Sequence, residues 1–130
     1  QQNEKMFEEI YQAFLRTYRN QATRTDTANY LSSVYAMYKP STYMRYLDSF
    51  LHMMDGTQFA SVVPINLSVY LLQCIERDFG VSALQQALLA EKQHIQYYYD
   101  VCGSASKGLR TALQAFASQH DLQIDFSTPY

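Results

Sequence analysis

Chain breakers are scarce in this sequence, with 4 glycines and 3 prolines in 130 residues. A turn-rich β fold needs many more such punctuating residues, so their scarcity points to long helices. No charge of one sign accumulates either. The 10 Lys and Arg are scattered among 12 Asp and Glu, whereas a protein that grips nucleic acid by its phosphates needs a concentrated basic face. Nucleic-acid binding is therefore set aside. No apolar run reaches the roughly 18 residues that cross a bilayer; the richest stretch, Ser68 to Ile75, is interrupted by Gln73, and no membrane span is expected. A glycine-rich phosphate loop, a CxxC pair and an HExxH are missing. So is Gly-x-Ser-x-Gly, since Gly103-Ser104-Ala105-Ser106-Lys107 fails that pattern at its last position. These absences remove the common routes to an enzyme, and no cofactor is implied.

Cysteine is limited to Cys74 and Cys102. If the helices on either side of Gly80 form an antiparallel hairpin, Cys74 stands level with Gln86. Cys102 then lies about 24 Å further along, at about 1.5 Å per residue. A disulfide needs Cα atoms within about 7 Å, so both are read as free thiols. Free thiols lean towards a reducing compartment such as the cytoplasm. The Gln1-Gln2 opening leans the other way, towards the mature end of a periplasmic or secreted protein, and it equally fits a trimmed chain. The compartment stays open.

What is present is a strong helical pattern. Hydrophobic residues make up 48% of the chain, enough for one core, and the expected architecture is a single all-α domain over residues 1–130, a compact bundle of five or six helices. The first helix carries Phe7, Ile10, Tyr11, Phe14, Leu15 and Tyr18 at three- and four-residue steps, with Asn3 as its cap. A second runs from Thr25 or Asp26 to Pro40 with Ala28, Leu31, Val34, Tyr35 and Tyr38 inward, ended by the proline. Ser41 opens a third, holding Met44, Leu47, Phe50, Leu51 and Met54 and closing at Asp55-Gly56. Residues 57–63 read as a short helix or an extended link. Pro64 starts a fourth helix that buries Leu71, Leu72, Ile75 and Phe79 and stops at Gly80. Ser82 and Gln85 match a capping box for a fifth helix running to about Val101. After a small-residue loop, a sixth presents Leu109, Ala112, Leu113, Phe116 and Ala117. Leu122, Ile124 and Phe126 alternate as an extended strip laid over the bundle.

Two constellations bear on function. The stripe of the fifth helix runs Leu84, Leu88, Ile95, Tyr98 and Cys102, and its missing step is Glu91, with His94 one turn on. A carboxylate and an imidazole are thus expected near the interior. Glu-x-x-His inside a bundle is the ligand pattern of ferritin-like carboxylate metal proteins, and Asp48 and His52 on the third helix, with Glu8 or Glu9, are the available further ligands. Those proteins use two such motifs and only one is present, so the reading that outweighs metal is a helix-edge Glu and His, solvated or hydrogen-bonded to a neighbouring Tyr. No metal is assigned.

The second constellation is aromatic, with 12 Tyr and no Trp. Tyr35, Tyr38, Tyr43 and Tyr46 bracket Pro40, and Tyr97, Tyr98 and Tyr99 are consecutive. Neighbouring helix positions are about 100° apart, so the triplet cannot all enter one core. Tyr98 is expected inward and Tyr97 or Tyr99 outward. Tyrosine suits interfaces because its large rigid ring ends in a hydroxyl that tolerates water. The expectation is a non-enzymatic helical module that binds another protein or a second copy of itself, such as a small inhibitor or immunity-type protein or an assembly adaptor. Two alternatives are a bundle holding a metal or small ligand around Glu91 and His94, and the ligand-sensing, dimerising domain of a regulator.

Overall fold

In the computed structural model, which describes residues 2–130, the chain is all-helical. Gln1, half of the opening pair, lies outside the described residues. Among those residues there are six helices and no strand: α1 (Gln2–Tyr18), α2 (Arg24–Val34), α3 (Pro40–Asp55), α4 (Ile65–Phe79), α5 (Val81–Cys102) and α6 (Lys107–Gln119). α1 lies against α2, α3 and α4; α5 packs on α3 and α4; α6 packs on α4. One continuous apolar core draws on all six helices and on Phe59, Val63 and Phe126 outside them. No helix described is long and apolar enough to cross a membrane.

The stripes explain this packing. On α1, Ile10, Tyr11, Phe14 and Leu15 are buried, while Phe7 is half-buried and Tyr18 exposed at the helix end. α1 already includes Gln2, so Asn3 lies inside the helix and is not its cap. α2 begins at Arg24 behind Thr23, whose hydroxyl accepts the Asp26 N–H at 3.0 Å. It ends at Val34, not at Pro40, and Val34 is exposed. The carbonyls that a longer helix would use are taken by side chains: Tyr43 donates its hydroxyl to Tyr35 O, and Ser32 donates to Tyr38 O. α3 starts at Pro40 itself, in the first helical position where its missing N–H costs nothing.

Residues 57–63 are an extended link that lays Phe59 and Val63 into the core, and Pro64 caps α4 from just outside it. Gly80 joins α4 to α5 with no intervening loop. It is the C-cap of one and the N-cap of the other, at φ 92 and ψ 179, a combination essentially reserved for glycine. α5 therefore begins at Val81, and the Ser82 hydroxyl makes no capping bond, so the capping box is not formed. Leu122, Ile124 and Phe126 run extended along the bundle after α6, with Phe126 fully buried.

Candidate functional site

Glu91 and His94 sit in the middle of α5, one turn apart, and both are 1% exposed. They are interior residues, not the helix-edge pair that the scarcity of ligand motifs suggested, because α3, α4 and the link between them close over this face. The His94 ring stacks on Phe59 in that link, with centroids 4.3 Å apart and planes 8° from parallel. Its Nδ1 donates to Phe59 O at 2.7 Å. A carbonyl can only accept, so Nδ1 carries the hydrogen and Nε2 keeps a lone pair. Burial pushes the His94 pKa down, opposed by that carbonyl, and the ring is neutral at pH 7.

Glu91 is in a stranger position. Neither of its carboxyl oxygens has a hydrogen-bond partner among the described residues. Burial raises its pKa to about 8, and the nearby Ser68 hydroxyl offsets a little of that without completing a bond. At pH 7 the side chain is therefore a neutral acid. The expected companions do not join the pair. Asp48 is tied to Arg24 through two hydrogen bonds of 2.8 and 2.6 Å at the surface, and exposed His52 meets Thr57 Oγ1 at 2.8 Å. Among the described residues, no three His, Cys, Asp or Glu side chains stand close enough to hold a metal.

Glu8 belongs to a cluster that the sequence reading missed. Arg77 on α4 reaches both Glu8 oxygens, at 3.0 and 3.1 Å, and both oxygens of its neighbour Asp78, each at 3.0 Å. Tyr70 donates its hydroxyl to Glu8 at 2.6 Å, and Tyr11 donates to Asp78 at 2.8 Å. The Arg77 guanidinium also lies over the Tyr11 ring. Arg77 holds the Glu8 carboxyl down at about 2, while burial pushes the neighbouring Cys74 thiol up to about 12. A protonated buried thiol and a guanidinium saturated by two carboxylates are poor reagents. The cluster clamps α1 to α4. Its signal in the sequence was the run Tyr70, Cys74, Arg77, at helical steps of four and three on α4.

The tyrosines divide. Tyr43 is 0% exposed and belongs to the core, so it cannot contribute to a contact surface; its place at the centre of α3's inward face decides this. Tyr38 sets its ring edge against both Tyr43 and Tyr46, at 5.4 and 5.3 Å, and with Tyr35 and Tyr46 it is half-buried. In the triplet, Tyr97 is half-buried and Tyr98 leans towards His94 at 5.9 Å. Tyr99 is the most outward at 37% exposure, with Tyr130 of the same chain 5.7 Å from it.

An open cleft of about 500 Å³ lies beside Tyr38. It is formed by the first turns of α1 (Asn3, Met6, Phe7), by Met37 and Tyr38 before α3, and by Pro64, Ile65 and Asn66 at the start of α4. Met37 is 62% exposed there, and Ile65 is exposed too. A larger cleft, about 790 Å³, opens between the α1–α2 turn and the end of α3. Turn residues such as Asn20, Gln21 and Thr23 make much of its wall, and its Arg24 is already paired with Asp48. No protein-family model matches the chain, and no curated protein or solved structure matches it significantly.

Proposed function

We propose that the chain is a non-enzymatic helical module that binds another protein through the cleft around Met37. One observation carries this reading. Met37 and Ile65 hold apolar side chains in water at the rim of a cleft whose floor includes Met6, Phe7 and Tyr38. A grouped apolar patch beside a concave surface is what a partner's aliphatic or aromatic side chain would cover. Methionine is suited to the role, because its unbranched thioether adapts to the shape it meets. The chain's chemically strongest groups support the same reading by their state: Glu91 and His94 are neutral and sealed, and Arg77 is spent on two carboxylates.

The test is a pair of full-chain variants, Met37→Asp and Ile65→Asp, compared with the parent by light scattering and by cross-linked capture in the source cell. Exposed substitutions usually change stability by under about 0.5 kcal/mol, so both should melt as the parent does. Loss of the captured partner, or of self-association, from both variants is the expected result. Undiminished capture by the double variant would end the proposal. The unpartnered Glu91 carboxyl favours a second reading, a bundle that encloses a small polar ligand. Native mass spectrometry of the chain from its source tests it, since a bound mass should be present and should disappear in Glu91→Gln.

A further inference from the structure

The extended segment after α6 is gripped in a way that core packing alone does not require. Leu122, Ile124 and Phe126 alternate towards the bundle, and Phe126 is buried as an anchor. Between these side chains, α6 reads the segment's backbone. Gln114 accepts the Phe126 N–H at its Oε1, 2.8 Å away, and donates its Nε2 to the Ile124 carbonyl at 3.2 Å. Its primary amide thus does what the peptide group of a neighbouring strand would do. Arg110 donates Nη1 to the carbonyls of Phe126 and Ser127, at 3.3 and 2.8 Å. Two side chains of one helix make four hydrogen bonds to the segment's backbone and none to its side chains, and Arg110 is steadied by a fifth, from Nε to Ala105 O at 2.6 Å. Backbone hydrogen bonds with a pocket for an alternate side chain are the way receptors hold extended peptides, the bonds giving affinity and the pocket giving selectivity.

The joint before the segment points the same way. α6 finishes its own end: the Leu122 N–H reaches Ala117 O at 2.9 Å and the Asp121 N–H reaches Ser118 O at 3.2 Å, around Asp121 at φ 56. That is a closed Schellman motif, complete at Leu122. The bonds that close the helix end thus involve nothing from Gln123 on, and Phe126 is what ties the rest of the segment to the core. Open clefts of about 420 and 520 Å³ lie where the segment meets α6, each walled by Gln114 and Ser118 on the helix and by residues of the segment itself.

We propose that the face of α6 bearing Arg110 and Gln114 is a peptide-recognition strip, filled in cis by residues 123–127, whose ligands in trans are extended peptides with an aliphatic residue two places before an aromatic one. The strip is independent of the Met37 cleft. Displacement of the cis segment makes it available, and the tether sets the threshold. A short flexible connection holds the cis segment at an effective concentration on the order of millimolar, so an incoming peptide must outcompete it.

The experiment uses the full chain and a fluorescent peptide copying residues 121–130. Phe126→Ala in the chain removes the cis anchor and should raise affinity for the peptide at least about tenfold over the parent, the factor the tether imposes. In that background, Arg110→Ala and Gln114→Ala should each lower affinity about tenfold, and a peptide with its own phenylalanine changed to alanine should not bind. Absence of saturable binding to the folded variant, or binding indifferent to Arg110, Gln114 and the peptide's phenylalanine, would overturn the proposal. Should Phe126→Ala lose its helical circular dichroism, the parent answers instead. Excess peptide should speed hydrogen exchange at the Phe126 amide several-fold by freeing it from Gln114, and unchanged exchange would equally overturn it.

Discussion

An acid buried without a partner makes stability depend on pH, and Glu91 fixes the direction. Its folded pKa of about 8 lies above the 4.5 of an ordinary glutamate, so the folded state binds the proton more tightly than the unfolded one. Stability contributed by the neutral acid is complete below about pH 4.5 and is lost as pH rises through 8. His94 acts oppositely. Its folded pKa lies below 6.5, so it contributes stability above 6.5 that falls away in acid. The unfolded imidazole goes on losing its proton until about pH 7.5, a unit above its ordinary 6.5, and beyond that Glu91 is left alone. Between about pH 7.5 and 8 the parent should lose stability at about 1 kcal/mol per pH unit, a slope that Glu91→Gln removes, as read from denaturant midpoints. At the acid end Glu8 acts together with Asp78, lowered by the same Arg77: the Glu8 carboxyl is held at about 2, so its contribution is present above 4.5 and lost as pH falls through 2. Glu8→Gln should make that limb shallower. The inward aim of Glu91 was legible as the missing step in the stripe of α5. Its isolation was not, because which atoms meet it depends on α3 and α4, whose approach no local spacing encodes.

Helix ends carry the clearest element-scale energetics. α1, α3 and α6 all finish in Schellman motifs, with Asn20 (φ 60), Gly56 (φ 71) and Asp121 (φ 56) in the left-handed position. Side chains pay about 1 kcal/mol there and glycine does not. Asp121→Gly should therefore stabilise the chain by about 0.5–1 kcal/mol, and Asn20→Gly by a similar amount. Gly56→Ala should do worse than the mirror of this. Its new Cβ would run into the Gln86 side chain, which crosses the glycine to donate to Asp55 O at 3.1 Å. A loss of about 1–3 kcal/mol, with the Gln86–Asp55 bond broken, is expected in urea melts. The stop at Gly56 was visible in the sequence because a glycine after an apolar helix has one common use. The ends of α2 and the start of α5 were misplaced for the opposite reason. Tyr43 and Ser32 claim carbonyls from a distance of several residues, and Gly80 lets α5 start before Ser82 can cap it. Such ends are set by tertiary partners.

At the scale of the whole molecule, the six helices close one core, and Cys74 can report when it opens. Phe14 and Leu113 lie at its centre, both 0% exposed, and replacing either with alanine should cost about 2–5 kcal/mol by leaving a cavity. The two thiols are unpaired, Cys102 exposed at the end of α5 and Cys74 buried between α1 and α4 with its pKa pushed up to about 12. A thiol reagent attacks the thiolate, so the folded chain should react at Cys102 alone and the denatured chain at both. Cys74 is covered by Tyr11, whose hydroxyl lies 3.3 Å from the Cys74 carbonyl, and by the Glu8–Arg77 clamp. Reaching it requires α1 to come away, and α1 carries too much of the core to leave by itself. Labelling of Cys74 should then follow the global unfolding equilibrium, in which each 1.4 kcal/mol is a factor of about ten. Phe14→Ala, at about 3 kcal/mol, should speed labelling of Cys74 about a hundredfold, and Leu113→Ala on distant α6 should speed it by a comparable factor. Cys102 should be unaffected by either. If Leu113→Ala left the Cys74 rate unchanged while Phe14→Ala raised it, α1 would open as a unit of its own, and the core would be two cooperative parts instead of one.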